Sequence, residues 1–384
     1  MITNETTEKF RKLKLPTPFY YYDLEVLKTT LDVIKKKASE SGFKLHYAVK
    51  ANHNPRILSL IASYGLGADC VSWNEIDAAL KAGFRASEIV FAGVGKSDNE
   101  IINAIEADIF CFNCESIPEM EVINTFAARL GKKARIALRI NPLVDAHTHK
   151  YITTGIAESK FGINTWELEE VLKKLTDMKN LELTGIHFHV GSQITRLSVF
   201  KTLCNHINEL QEWFSVRNSE LKIINVGGGL GINYDNPEEL PRFDDYFSLI
   251  RKFVDLRPGQ TIHAEPGRSI VGQCGSLISK VLYVKNGTNT KFVIIDAGMT
   301  DLIRPALYQA HHQIENLTSA GETENYDVVG PICESSDTFA RYIELPETRR
   351  GDLIAIRSAG AYGEVMASRY NLRDLPQVVF SDEI

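Results

Sequence analysis

From about residue 44 to 265 the chain alternates two textures. Short runs rich in β-branched and aromatic residues are followed by longer stretches in which apolar side chains recur at three- and four-residue spacing. The first texture predicts buried strands, the second amphipathic helices. The strand-like runs are KLHYAVKA, LGADCVS, EIVFAG, DIFCFN, ARIALRIN, LTGIHFHVGS, LKIINVGGG and TIHAEP; SWNEIDAALKAG and TWELEEVLKKLTDMKN exemplify the helices between them. Eight strand-then-helix units predict an α/β fold, a (β/α)8 TIM-like barrel, which we place at residues 24–265. A doubly wound open sheet is the alternative. It usually has fewer strands and an early glycine-rich turn, whereas NVGGGLG comes late here.

Beyond residue 265 helical periodicity fades. GSLISKVLYVKN, TKFVIIDAG, NYDVVGPI and GDLIAIRSAGAY are strand-like runs separated by Gly, Asn and charged turns, which predicts a sandwich- or barrel-like β domain over 266–384. PTPFYYYD is strand-like too and precedes the first barrel helix, so we expect residues 1–23 to join that domain.

Composition narrows the function without naming it. A chain of 384 residues suits two domains, and 44% hydrophobic with 24% charged residues is ordinary for a globular protein. The net charge of -6 argues against a nucleic-acid partner. No apolar run is long enough to cross a bilayer, and the polar start MITNETTEKFRKLKLPTP lacks the apolar centre of a signal peptide, so we expect a cytoplasmic protein. Cys111 and Cys114 form a lone CxxC without a second ligand pair and read as buried small hydrophobes. Cys333, in the polar, turn-rich GPICESSD, suits a partly exposed, reactive thiol.

Loaded residues fall where strands of such a barrel end, the face that carries active sites. Lys50 closes KLHYAVK and reads either as a snorkelling surface lysine or as an amine made nucleophilic by desolvation, able to condense with an aldehyde. In HFHVGSQ, His187 and His189 share a face; no third ligand stands nearby for zinc, and His189 beside Gly191 and Ser192 suits a ring packed on a planar cofactor as well as it suits core packing. Gly227, Gly228 and Gly229 form either an ordinary tight turn or a cradle of amides for a phosphate. In HAEPGRS, Glu265 either pairs with Arg268 or bonds a ring nitrogen, and Gly267 adds an amide. An amine for an aldehyde, a phosphate cradle, a stacking ring and an acid for a pyridine nitrogen jointly match pyridoxal 5'-phosphate (PLP).

These motifs resemble those of the alanine-racemase-like barrel class of PLP enzymes and, within it, the diaminopimelate decarboxylase family. The likeness runs from TPFYYYD to YGEVMASRYN through YAVKAN, RINP, DAHTHKYITTGIAESKFG, HFHVGSQ, VGGGLG, AEPGRS, DLIRPALY, GPICESSD and GAYG. It implies PLP-dependent decarboxylation of meso-2,6-diaminopimelate to L-lysine and CO2, the last step of lysine biosynthesis. It also implies a homodimer with active sites at the subunit interface, and no metal. By the same resemblance Lys50 carries the PLP and His189 stacks on its ring. Ser192, Gly228, Gly229, Gly267 and Arg268 surround the phosphate, and Glu265 keeps the pyridine nitrogen protonated. Arg268, Arg304 and Tyr308 hold the substrate's distal carboxylate and Glu334 its distal ammonium. Cys333 is the general acid, offered with Glu334 across the dimer interface, and Tyr362 reaches the cofactor phosphate from the partner side.

A guanidinium such as Arg304 pairs bidentately with a carboxylate and repels a bare ammonium, so a site carrying both Arg304 and Glu334 fits a zwitterionic end group better than ornithine's plain amine. The rivals are an ornithine, lysine or arginine decarboxylase of the same class, an alanine racemase, for which no tyrosine motif stands ready as the second base, and a non-catalytic PLP-binding relative. The chain departs from the family at Trp73 and Asn74, where two small residues are common, and at Ser336, where glycine is.

Overall fold

The structure is a computed structural model describing residues 2–142 and 159–384. The motif stretch DAHTHKYITTGIAESKFG therefore lies largely outside the described residues. Contacts divide the chain into two compact units. One comprises the chain up to Thr30, Ile232–Pro241 and Arg268–Ile384; the other comprises Leu31–Gly231 and Arg242–Gly267.

The chain begins with helix α1 (Asn4–Leu13) and strand β1 (Phe19–Tyr22), followed by helix α2 (Leu24–Glu40). The second unit is a closed parallel barrel of β2 (Phe43–Ala48), β3 (Gly67–Cys70), β4 (Ile89–Phe91), β5 (Cys111–Cys114), β6 (Ala134–Arg139), β7 (Leu181–His187), β8 (Ile223–Asn225) and β9 (Thr261–Ala264). Each strand overlaps one of the eight runs read from the sequence, with β2, β5 and β7 reaching one or two residues beyond their run. Burial explains why those runs look uniformly apolar: a parallel strand covered on both faces has no solvent side on which to alternate. The connecting helices are α3 (Pro55–Ser63), α4 (Trp73–Ala82), α5 (Asp98–Glu106), α6 (Ile117–Arg129), α7 (Leu168–Leu175), α8 (Ser198–Ser215) and α9 (Phe243–Phe253). Their starts are encoded locally. Asn54, Ser72 and Ser116 accept first-turn N–H groups, and Ser97 with Glu100 forms a capping box. Trp73 and Asn74, the departures, open α4; the Trp73 N–H donates to Glu100 Oε1 at 2.9 Å.

Barrel closure positions the site. β9 pairs in parallel with β2, Lys44 opposite His263 and Leu45 opposite Ala264, so the ends of the first and last strands are neighbours. The Ala48 N–H donates to the Pro266 carbonyl at 3.1 Å, locking the end of β2 to the segment after β9. Lower in the barrel, Cys111 packs with Val90, Ala137 and Phe110. Cys114 is buried as well, which agrees with reading this pair as small hydrophobes.

The first unit carries two short helices, α10 (Arg268–Val271) and α11 (Arg304–Tyr308), and an eight-stranded sheet. Its remaining strands are β10 (Gly275–Asn286), β11 (Lys291–Ile295), β12 (Ile314–Asn316), β13 (Thr323–Val329), β14 (Thr338–Pro346), β15 (Leu353–Ile356) and β16 (Gln377–Phe380), in the order β12-β15-β10-β11-β13-β14. β1 pairs antiparallel with β10 and parallel with β16, so the N-terminal strand does join this sheet. The polar N-terminal stretch forms α1, capped by Thr3 and anchored by Phe10, whose ring meets Phe19 and Tyr21 edge-on at 5.2 and 5.1 Å. One buried aromatic on an otherwise polar helix is too thin a periodicity to read from sequence. Among the described residues no helix is long and apolar enough to cross a membrane.

Candidate active site

Lys50 does not end its strand, as the sequence suggested; β2 stops at Ala48 and Lys50 sits on a 3-10 turn, Val49–Ala51. The turn aims its side chain at β3. Lys50 Nζ donates to Asp69 Oδ2 at 3.0 Å, with the lysine side chain 34% exposed and Asp69 1%. Burial, then the charge of Glu265, raises the Asp69 pKa, and Lys50 opposes them. A carboxylate of raised pKa beside an ammonium is a suitable acceptor for the proton that an amine must lose before acting as a nucleophile.

Glu265 follows β9 and is buried. Burial alone would push its carboxyl up, but the His187 imidazole, Lys50 and His46 outweigh it and hold the carboxyl well below its ordinary value. The geometry agrees: the His187 Nε2–H donates to Oε2 at 2.9 Å, and the amides of Asn225 and Asn113 donate to Oε1 at 2.8 and 3.3 Å. Asp69, Asn113, His187 and Asn225 thus come from four different strands. His187, weighed above with zinc in mind, serves Glu265 instead. Two buried carboxylates with pKa values driven apart signal a functional pair. Glu75, on α4, is a third unusual acid: burial raises its pKa to about 7 although it accepts the Val71 N–H at 2.7 Å.

The glycine turn borders this group. Gly227 has φ 71°, and a Cβ there would strike the Phe188 carbonyl; a Cβ at Gly228 would strike the carbonyl of Glu265 and approach His189 Cε1 to 3.9 Å. The turn is therefore glycine because two backbone segments pass against it. Gly229 lies against Gly191, and Gly267 against Ala48 and Ala51 of the lysine turn. Ser192 is partly exposed beside Gly191. Burial, then the charges of Arg139 and Lys50, hold His189 well below its ordinary pKa, so its ring is neutral at neutral pH. Arg139 itself is tied to Glu115 at 2.7 Å, and Glu115 also accepts the Gly162 N–H at 2.8 Å.

The other unit holds the remaining candidates. Arg268 and Arg304 each donate through Nη1 to one phenol oxygen, that of Tyr234, at 2.7 and 2.8 Å. The Arg268 guanidinium lies 4.8 Å from the centre of the Tyr362 ring. Tyr308 lies one turn beyond Arg304 on α11 and is partly exposed. Cys333 and Glu334 occupy an exposed turn whose base is held by Asp337, a buried carboxylate accepting the N–H groups of Ile332 and Met299 at 2.7 and 2.6 Å. Ser336, the third departure, donates to Glu334 Oε2 at 3.2 Å. Sequence reasoning missed Asp69, Asn113, Tyr234, His312 and Asp337. Of these, only Asp337 carried a local signal, as the acid closing GPICESSD.

His312 Nδ1 faces the Arg357 carbonyl at 2.8 Å, and burial, then Arg304, push its pKa from 6.5 down to about 3. Across that window the unfolded chain binds a proton that the folded chain refuses, so stability falls as the pH drops from 6.5 toward 3. Acid unfolding followed by circular dichroism should show a shallower pH dependence there for His312→Gln.

Residues 27–272 match the family of the pyridoxal-dependent decarboxylase, pyridoxal binding domain. The chain is 57% identical to the diaminopimelate decarboxylase of Bacteroides thetaiotaomicron over 98% of each chain, and 45% identical to that of Helicobacter pylori strain J99 over 93% of this chain and 88% of the other. Its fold is similar to the crystal structure of diaminopimelate decarboxylase from H. pylori complexed with L-lysine, with a TM-score of 0.92 and 43% identity over 98% of this chain and 94% of that one. The M. jannaschii diaminopimelate decarboxylase in complex with L-lysine is similar with a TM-score of 0.89, 37% identity and coverage of 98% and 89%.

Proposed function

The chain belongs to the pyridoxal-dependent decarboxylases, and from that membership we propose that it converts meso-2,6-diaminopimelate to L-lysine and CO2, in the cytoplasm. One observation carries the reading: an accessible lysine amine paired with Asp69 at the barrel end where Glu265 is buried yet held ionised. These residues fit pyridoxal 5'-phosphate. Its aldehyde asks for an amine that can lose a proton, its ring nitrogen for a carboxylate that stays charged, and its phosphate for backbone amides with small neighbours.

Lys50 carries the cofactor, and Asp69 takes the proton its ammonium sheds. Glu265 presents a fixed negative charge that favours a protonated ring nitrogen. Neutral His189 stacks without adding positive charge there. Ser192, Gly228, Gly229, Gly267 and Arg268 hold the phosphate. When bound, the cofactor accepts the electron pair released as the carbon–carboxylate bond breaks. Arg304, with Arg268 and Tyr308, takes the distal carboxylate. In a homodimer the second subunit supplies Glu334 for the distal ammonium, Tyr362 for the phosphate, and Cys333, whose thiol protonates the carbon that has lost its carboxylate.

Lysine formation by purified protein with PLP and meso-diaminopimelate is the direct test. Comparable CO2 release from ornithine, lysine or arginine would refute the substrate assignment. Cys333→Ala should retain the cofactor's absorbance yet lose about a hundredfold in decarboxylation rate, the contribution of a placed general acid; an unchanged rate removes Cys333 from that role.

A further inference from the structure

We propose that Tyr234 and His312 are positioning residues that clamp one end of the Arg304 guanidinium, leaving its opposite edge to grip the substrate's distal carboxylate side-on. The proposal rests on the reading of Arg304 as the carboxylate receptor and adds what orients it.

Arg304 has five N–H donors. Nη1 bears two N–H bonds, and both are used: one donates to the Tyr234 oxygen and one to His312 Nε2, each at 2.8 Å. The His312 tautomer follows from its other nitrogen. A carbonyl oxygen only accepts, so Nδ1, facing the Arg357 carbonyl, carries the proton, and Nε2 presents a lone pair. The acceptor side of the clamp is thus set by the fold. Tyr234 is held in turn, since its oxygen also accepts Arg268 Nη1 at 2.7 Å and its ring meets His312 edge-on at 5.0 Å.

The other edge of the guanidinium makes no hydrogen bond among the described residues. Arg304 is 4% exposed, its Nε is buried without a hydrogen-bond partner, and Nη2 makes none either among the described residues. No carboxylate among them pairs with it. Nε–H and Nη2–H point in parallel from one edge of the planar group, the spacing that matches two carboxylate oxygens. A buried cation with one edge saturated and the other bare is costly unless an anion arrives to fill it. A tyrosine and a neutral imidazole suit the clamp better than an aspartate would. They accept N–H bonds without neutralising the charge that the substrate must use.

The test uses the holoenzyme and three ligands. Meso-diaminopimelate and L-lysine both carry the distal carboxylate; 1,5-diaminopentane carries none. In Tyr234→Phe, KM for meso-diaminopimelate and the inhibition constant of L-lysine should each rise about tenfold, the scale of one lost bond to a charged group. Inhibition by 1,5-diaminopentane should hold, and kcat should change less than about twofold, because the lost binding is uniform between ground and transition states. His312→Leu should repeat the pattern and His312→Gln, whose amide oxygen can accept from Nη1, should recover most of it. This pair reads the clamp independently if Tyr234→Phe folds poorly. Unchanged L-lysine inhibition overturns the clamp, and so does equal weakening of L-lysine and 1,5-diaminopentane, which would indicate a general structural role. Arg304→Ala separates the layers: a large KM rise there, with a silent Tyr234→Phe, keeps the receptor and discards the clamp, whereas no rise discards both.

Discussion

Lys50→Ala will lose turnover by about ten-thousandfold or more, the scale seen when the residue that bonds the reacting group is removed. The expectation comes from the lysine turn. Lys50 is the amine paired to Asp69, and Asp69 has a pKa raised by burial, so the two together form an amine with a built-in proton acceptor. In the proposed role, removing the amine would remove the covalent hold on the cofactor, and it takes away the ammonium that pairs with buried Asp69. The absorbance band of lysine-bound cofactor should vanish, although phosphate contacts can still retain PLP. Full turnover with a normal band would exclude Lys50. Mixing Lys50→Ala with Cys333→Ala protein adds a second readout. Activity should return in mixed dimers if one subunit lends Cys333 to the other's Lys50, and no return argues against shared sites.

Glu265→Gln will lower kcat by about a thousandfold, at the upper end for removal of a preorganised electrostatic partner. Glu265 receives three N–H donors, from His187, Asn225 and Asn113, and every one of them is arranged for an acceptor. Glutamine is nearly the same size, so packing survives. Its NH2 group, however, turns a donor toward donors and brings no charge. In the proposed role Glu265 would face the ring nitrogen of bound PLP, and the variant would offer that nitrogen no carboxylate to favour its protonated form. Stopped-flow rates under single turnover isolate this step, and substrate binding should change little. A kcat within twofold of the parent would show that the buried charge serves only the fold.

The eight barrel strands were legible because burial on both faces leaves a mark in composition, and β1 was legible because FYYY is strand-like. The strands β12, β14 and β16 and helix α1 were not, since short or polar segments take their structure from neighbours rather than from periodicity. Lys50, Glu265 and the glycine turn stood out because each is chemically odd for its place: a cation after an apolar run, an acid among apolar residues, three glycines together. Asp69 did not stand out, being one acid in GADC, nor did Asn113 in CFNC.

The sequence by itself determined residue types and local periodicity, and hence the fold class, the two kinds of domain texture and the chemistry on offer at strand ends. Only the tertiary structure decided which groups meet. Pairing of β9 with β2 closes the barrel and brings the lysine turn to Glu265; strands β3, β5, β7 and β8 then each deliver one polar side chain to that end. Tyr234 serves two arginines because the segment Ile232–Pro241 packs with the sheet unit rather than with the barrel on either side of it in the chain. Such partnerships are set by closure and packing between segments far apart in sequence, and spacing along the chain carries no record of them.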